Sequence, residues 1–209
     1  MNSTAPASRS IPAVDFFFDL TSPYSYLAAT QIEAVADRHG AQVRWRPMVL
    51  GAVFKATGND TPARIASKAA YMLADLGRWA TQYRVPFRFA SRFPVLSVKA
   101  MRLVLAAEEQ GRGAAVAQAA FRAQWVTDRD ITALPVLRAL AEEGGVDADV
   151  ALARIEAPDV KDRLRQNTDE AIARGVFGAP AIFVDDKLFW GNDRLSHVEA
   201  ALSLVDRRV

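Results

Sequence analysis

The sequence predicts an α/β fold in which one mixed domain, built from both ends of the chain, is interrupted by a block of helices. A strand–helix–strand pattern occupies the first fifty residues, and helical spacing dominates from residue 64 to about residue 174. Two short apolar runs and a helix then close the chain. The expected parts are a disordered tail over 1–11, the mixed domain over 12–62 and 175–209, and the helical insertion over 63–174.

The first unit is a strand followed by a helix and a second strand. Residues 14–20 read VDFFFDL, an apolar β-rich run, and the segment TSPYSYLAATQIEAVADRHG after it predicts one helix ending at Gly40. Residues 42–47, QVRWRP, alternate polar and apolar side chains, which is typical of a strand. Because a helix separates the two strands, they most simply lie parallel, and the segment predicts a βαβ unit.

The middle of the chain predicts a helical block. Residues 48–62 are rich in glycine and proline, which indicates a connection with about one helical turn. In the block that follows, apolar side chains such as Met72 and Leu76 recur at helical spacing. Later helices are expected at 114–125, 134–143 and 159–174.

β character returns near the end of the chain. The apolar runs AIFV and KLFW are separated by Asp185 and Asp186, which is a hairpin pattern. A helix is expected from Asp193 to Val205, with Asn192 and Asp193 as residues of the type that cap helices.

Composition narrows the classes of function. The 26 basic and 24 acidic side chains are interspersed, so no face that tracks nucleic-acid phosphates is indicated. The chain has no cysteine, so it can form no disulfide, thiolate metal site or thiol redox centre of its own. Neither His39 nor His197 has neighbours of the type that bind metals, and no metal site is predicted. Any sulfur chemistry must arrive with a ligand.

The sequence shows no targeting or membrane segment. Its first ten residues lack an apolar region, and no later stretch approaches the roughly 18 apolar residues of a membrane span. A cytoplasmic protein without membrane partners is the expectation.

Ser22 is the first candidate for chemistry. It precedes Pro23, and this pair is typical of a helix N-cap and first turn, so plain capping explains the serine without any ligand. Its setting adds a second interpretation. Ser22 follows the C-terminal end of the first strand, where α/β sheets bind ligands, and a helix N-terminus favours an anion.

Gly178, Ala179 and Pro180 form the second candidate feature, immediately before the returning strand. A proline at this point donates no hydrogen bond to the sheet, and a tight Gly-Ala-Pro turn favours a cis peptide bond above its usual frequency. A trans proline at an ordinary strand start is the alternative.

Four strings together resemble a known family. They are SPYSY at 22–26, FKATGN at 54–59, GVFGAP at 175–180 and LFWGNDRL at 188–195. In order and approximate spacing they are similar to the serine-bearing thioredoxin-like proteins, namely the kappa-class glutathione transferases and the bacterial 2-hydroxychromene-2-carboxylate isomerases. The resemblance covers residues 13–207 and implies a thioredoxin-like fold with a helical insertion. Related disulfide oxidoreductases have cysteines at the positions of Ser22 and Ser25.

The resemblance implies glutathione as cofactor and suggests which residues bind it. Ser22 would donate a hydrogen bond to the glutathione sulfur, and a helix N-terminus lowers a thiol pKa, so the thiolate would be present at neutral pH. The backbone of Ala179, beside Pro180, would pair with the cysteinyl part as an added strand does. The other implied glutathione contacts are Asn59, Lys68, Trp190, Gly191, Asn192 and Asp193.

The substrate would be a small aromatic carboxylate, so a cation near the sulfur is needed. Lys55 is the first choice, with a solvated loop lysine as its close alternative, and Arg64 is a weaker substitute for the same role. An aromatic wall would come from residues that at helical spacing are more often core. These are Tyr24, Tyr26, Phe54, Trp79 and Tyr83.

The implied function is a glutathione-dependent isomerase that interconverts 2-hydroxychromene-2-carboxylate and trans-o-hydroxybenzylidenepyruvate, in the breakdown of aromatic hydrocarbons. A kappa-type glutathione transferase is the main alternative, and a non-catalytic thioredoxin-like module that binds peptides is a third. The resemblance also implies a homodimer and no nucleic-acid partner.

Overall fold

A computed structural model describes residues 11–206, which form a four-stranded sheet and ten α-helices. The sheet has the order β2-β1-β3-β4, and its two halves come from opposite ends of the sequence. β1 runs parallel to β2, whereas β3 runs antiparallel to both β1 and β4. The strands are β1 Ala13–Phe18, β2 Gln42–Pro47, β3 Ala181–Val184 and β4 Lys187–Trp190. The predicted α/β fold, the βαβ unit and the C-terminal hairpin are confirmed; the predicted tail falls, except for Ile11, outside the described residues.

In the sequence, seven of the ten helices, the third to the ninth, lie between the two halves of the sheet. The helices are α1 Pro23–Ala29, α2 Ile32–Asp37, α3 Leu50–Thr57, α4 Ala66–Tyr83, α5 Val98–Glu108, α6 Gly113–Trp125, α7 Leu134–Glu143, α8 Ala148–Arg154, α9 Pro158–Ala173 and α10 Leu195–Asp206. Short 3₁₀ turns at Pro62–Arg64 and Asn192–Arg194 precede α4 and α10. The insertion boundaries at 63 and 174 stay a prediction. None of the described helices is long and apolar enough to cross a membrane.

The prediction of one continuous helix before Gly40 was wrong. The structure has two helices, α1 and α2, which meet at Thr30 and Gln31. The Thr30 hydroxyl donates to the Leu27 carbonyl at 2.7 Å, and such local side-chain bonds compete with helix continuation. The predicted stop at Gly40 is right, since Gly40 adopts a positive φ of 60° after α2.

The prediction of a single helical turn within 48–62 was also wrong. Helix α3 is eight residues long, and its start is stabilised because the first N–H, that of Leu50, donates to the side chain of Asp19 at 2.8 Å. Gly58, with a φ of 70°, ends the helix. The long-range contact with Asp19 is invisible in the local sequence, so the glycine-rich pattern alone underestimated the helix.

One hydrophobic core runs from the sheet into the helical insertion. Phe16 and Phe18 on β1 pack edge-on against Trp45 of β2, and Phe18 also packs on Phe121 of α6. Trp125, fully buried, donates its indole N–H to the Leu20 carbonyl at 2.9 Å. The insertion is therefore anchored to the end of β1, directly before Ser22.

Candidate active site

Ser22 is the N-cap of α1 and also reaches the other half of the sheet. Its Oγ accepts a hydrogen bond from the Ser25 N–H at 3.1 Å, so the capping interpretation is confirmed. The same hydroxyl donates to the carbonyl oxygen of Ala179 at 3.1 Å. The residue is only 5% exposed, so this hydroxyl sits in a largely water-excluded place at a helix N-terminus, where an anion is favoured.

The Ala179–Pro180 peptide bond is cis. The loop that contains it leads into the C-terminal hairpin and is hydrogen-bonded to Ser22. Strand β3 begins at the next residue, and the Gly191 N–H donates to the Pro180 carbonyl at 3.0 Å. The loop therefore lies between the start of α1 and the turn after β4. Two segments more than 150 residues apart meet at one point, because β3 pairs with β1.

Asp19 supports the backbone in front of Ser22 and was not among the predicted site residues. Its carboxyl group accepts hydrogen bonds from the Ser97 hydroxyl at 2.6 Å and from the backbone N–H of Thr21 at 3.0 Å and of Leu50 at 2.8 Å. Burial raises its pKa, although these three bonds oppose the rise. An acidic residue inside the apolar run VDFFFDL was the signal that could have identified it.

Asn192 and Asp193 form a polar end of the site beneath α4. Asn192 is buried, its backbone carbonyl accepts from the Tyr83 hydroxyl at 2.8 Å, and its amide group donates to the same tyrosine at 3.4 Å. Asp193 is partly exposed and pairs with Arg194. Burial raises the pKa of Tyr83, and the nearby charge of Asp193 raises it further. The tyrosine, predicted as aromatic wall or core, thus acts as a polar anchor.

Tyr24 links α1 to α4 near this polar end. Its hydroxyl donates to a carboxylate oxygen of Asp75 on α4 at 3.0 Å. Burial, the bond to Asp75 and the charge of Asp193 all raise the Tyr24 pKa. Asp193 is therefore close to both phenols, and α1, α4 and the Asn192–Arg194 turn converge here. Asp75 was not predicted, because nothing in its local sequence separates it from a solvated helix residue.

A cavity of about 310 Å³ opens beside Tyr24. Its lining includes Lys68, one of the predicted glutathione contacts. Its lining is mainly apolar, and α4 supplies most of it. The lining residues are Tyr24, Pro62, Ser67, Lys68, Tyr71 and Met72.

Trp190 and Asn59 flank the proline loop. The Trp190 ring packs on Phe177 with centroids 4.8 Å apart, and half of Trp190 is exposed. Asn59 donates its amide N–H to the Phe177 carbonyl at 2.8 Å. The structure thus brings Asn59, Trp190 and Gly191 to the same loop as Ala179.

The two predicted substrate cations lie on exposed positions. Lys55 is exposed in the last turn of α3, and Arg64 lies in the 3₁₀ turn before α4. The Arg64 guanidinium pairs with Asp60 at 2.9 Å, which partly neutralises its charge. Their roles stay predictions. Among the predicted aromatic residues, Tyr26 is core, since it is buried and packs on Phe87 and Phe121.

Gly178 is required by the close approach of Trp190. A Cβ at this position would stand 2.6 Å from the indole nitrogen, which is closer than side chains tolerate. Gly178→Ala is expected to displace Trp190 from Phe177, shift the tryptophan fluorescence and lower the free energy of unfolding by about 1 kcal/mol. Gly51→Ala is the matched control, because a Cβ there meets open space. Unchanged fluorescence in Gly178→Ala would contradict the assigned packing.

Comparison with known proteins identifies the family of this chain and several relatives. A family model described as a DSBA-like thioredoxin domain matches residues 13–203. The chain is 37% identical over 191 residues to a 2-hydroxychromene-2-carboxylate isomerase of Sphingobium xenophagum, covering 90% of this chain and 97% of the relative. It is 28% identical over 196 residues to human glutathione S-transferase kappa 1, covering 87% of each.

A solved structure agrees with these sequence relatives. The structure of a 2-hydroxychromene-2-carboxylate isomerase superposes with a TM-score of 0.85 at 30% sequence identity, covering 94% of this chain and 97% of that one.

Proposed function

The chain belongs to the DsbA-like thioredoxin-domain family, beside the 2-hydroxychromene-2-carboxylate isomerases and kappa-class glutathione transferases, and on this basis we propose that it is a glutathione-dependent isomerase. The reaction would interconvert 2-hydroxychromene-2-carboxylate and trans-o-hydroxybenzylidenepyruvate in aromatic hydrocarbon breakdown. The observation that carries the proposal is the buried Ser22 hydroxyl, at the N-terminus of α1 and within 3.1 Å of the carbonyl next to a cis-proline. A cytoplasmic location stays a prediction from the sequence.

The residues present fit glutathione, whose functional groups are a thiol, an ammonium and two carboxylates. A chain without cysteine needs a ligand to supply sulfur, and Ser22 offers a hydroxyl donor at a positive helix end. Asp193 offers a partly exposed carboxylate for the ammonium, and Lys68 a cation for a carboxylate. Ser22, Asp193 and Lys68 thus suit three of these four groups by charge and hydrogen bonding.

The remaining contacts follow the arrangement of the loops. Ala179, before the cis Pro180, has a backbone able to pair with the cysteinyl part as an added strand. Asn192 and the turn at Trp190 and Gly191 would surround the γ-glutamyl end. Asn59 is tied to the same loop by its bond to the Phe177 carbonyl, and its amide would contact glutathione from there.

The chain's own contribution to catalysis is positioning and electrostatic stabilisation. When bound, glutathione would supply a thiolate nucleophile for reversible addition to the ring-opened substrate, and Ser22, Ala179, Asn192 and Asp193 would hold it. Ser22 holds the negative charge by donating its proton in a hydrogen bond, with the first N–H groups of α1 adding partial positive charge. Lys55, with Arg64 as the substitute, would bind the substrate carboxylate.

A kappa-type glutathione transferase is the second candidate. The 28% identity to human glutathione S-transferase kappa 1 favours it, and the same Ser22 pocket would serve an irreversible addition to an electrophile. A non-catalytic peptide-binding module is less well supported, because a peptide groove needs the proline loop but not the buried Asn192 or the nearby Asp193.

The deciding assay follows the conjugated trans product by ultraviolet absorbance, with and without glutathione. The proposal expects conversion of 2-hydroxychromene-2-carboxylate that depends on glutathione without consuming it. Conjugation of a generic electrophile without isomerisation would instead favour the transferase, and tight binding of unfolded peptides with weak glutathione binding would favour the module.

We also propose that the enzyme is a homodimer. Ile65, directly before α4, and Tyr71 and Leu73 on the helix are large apolar side chains that are exposed. Sedimentation velocity would test this, and a monomer at micromolar concentration would contradict it.

Asp193 is expected to act on glutathione binding more than on the chemical step. Asp193→Ala should raise the glutathione concentration needed for half-maximal rate by about tenfold, because it removes a charge-assisted contact, while the maximal rate changes little. Asp186→Ala, which removes an exposed carboxylate at the far end of the hairpin, is the matched control. A lower maximal rate with unchanged glutathione dependence would contradict the assignment.

A further inference from the structure

Tyr24 is placed to contact the substrate, which would be the second ligand of the site beside glutathione. It stands two residues after Ser22 on α1, it is only partly buried, and its side chain lines the 310 Å³ cavity together with Lys68 and Tyr71. Its neighbour Tyr26, by contrast, is buried in the core. The cavity volume is near the lower limit of small-molecule sites and suits one aromatic ring.

The hydrogen bond to Asp75 determines what the Tyr24 oxygen offers. A phenol has one O–H donor and two acceptor lone pairs, and here the donor is committed to the Asp75 carboxylate at 3.0 Å. Burial and the charges of Asp75 and Asp193 keep the tyrosine protonated at neutral pH by raising its pKa. The Tyr24 oxygen can therefore only accept a hydrogen bond from a ligand.

The rest of the cavity selects the kind of donor. Lys68 disfavours a cationic donor such as an ammonium group, and Pro62 and Met72 offer apolar surface to a ring. A neutral hydroxyl attached to an aromatic ring satisfies both conditions.

We propose that Tyr24, oriented by Asp75, is a specificity-determining residue whose phenol oxygen accepts a hydrogen bond from a hydroxyl group on the substrate's aromatic ring. This inference rests on the proposed function, whose ring-opened substrate carries such a hydroxyl ortho to the unsaturated side chain. Asp75 is a positioning residue that acts by holding the Tyr24 proton.

The experiment compares two cis substrates, o-hydroxybenzylidenepyruvate and benzylidenepyruvate, which lacks the ring hydroxyl. The wild-type protein should favour the hydroxylated compound by about tenfold in kcat/KM. A substrate without the ring hydroxyl would leave the Tyr24 acceptor unpaired. Tyr24→Phe should lower kcat/KM for the hydroxylated compound by about tenfold and leave the other within about twofold. Asp75→Ala should reduce the preference, and Asp75→Asn should restore it, since an amide oxygen can still accept the tyrosine proton.

Tyr26→Phe is the matched control, because it removes a phenol hydroxyl from the same helix but from a core position where the partner is the Pro86 carbonyl. It should leave the preference between the two substrates unchanged. A wild-type protein without preference, or an equal fall for both compounds in Tyr24→Phe, would overturn the inference while the proposed function stands. Absence of glutathione-dependent isomerisation with either compound would overturn both.

Discussion

Replacing Ser22 with alanine is expected to lower turnover by about 10²- to 10³-fold, the usual cost of removing one preorganised donor to an anion. The hydroxyl is the donor that α1 presents at its buried N-terminus, and its present acceptor, the Ala179 carbonyl, lies where the cysteinyl part of glutathione would pair. Without it the bound thiol pKa should rise towards the ordinary value of about 8.5. The measurement is kcat with saturating glutathione across pH.

The pH profile separates this role from a structural one. Losing the N-cap costs about 1 kcal/mol of stability, too little to unfold a domain of ordinary stability. The Ser22→Ala variant should therefore regain activity as the pH is raised above neutral, more than the wild type does. Ser25→Ala is the matched control, because the Ser25 hydroxyl is buried on the same helix and has no hydrogen-bond partner among the described residues. Unchanged turnover in Ser22→Ala would remove the serine from the mechanism.

Replacing Asp19 with alanine is expected to lower the free energy of unfolding by roughly 3 to 5 kcal/mol, because it leaves two buried donors and one partly buried donor without an acceptor. These donors, on Thr21, Leu50 and Ser97, belong to the starts of three different helical segments. The measurement is urea unfolding. Asp130→Ala is the control, since the Asp130 carboxylate accepts from the nearby Thr132 and has a long ion pair with the exposed Arg92 at 3.7 Å, and it should cost less than about 1 kcal/mol.

The pH dependence of the Asp19 effect has a defined sign. Its pKa is raised by burial, so the folded state holds the proton more tightly than the unfolded state does. Its stabilising contribution is therefore complete below the unfolded pKa of about 3.9 and declines as the pH rises through the higher folded value. The gap in stability between wild type and Asp19→Ala should narrow from acid towards neutral pH. A gap that widens would contradict the burial argument.

Local patterns in the sequence were sufficient for most of the elements. Alternation in QVRWRP, the paired apolar runs around Asp185 and Asp186, and Gly40 as a helix stop each depend on neighbours within a few residues. The two errors have different causes, one local and one long-range. Thr30 divides the first helix through a bond within its own turn, and α3 begins at Leu50 because a side chain 31 positions away accepts its N–H.

The candidate site also combines features that the local sequence predicts with contacts that only the fold creates. The sequence by itself determined that sulfur must come from a ligand, that Ser22 caps a helix after a strand, and that a proline precedes the returning strand, since each is a property of composition or of adjacent residues. Only the tertiary structure decided that Ser22 meets Ala179, that Asp19 accepts from Leu50 and Ser97, and that Asp75 holds the proton of Tyr24. These contacts join residues far apart in the chain, and no local periodicity records them, because they arise from the pairing of β1 with β3 and from the packing of α4 on α1.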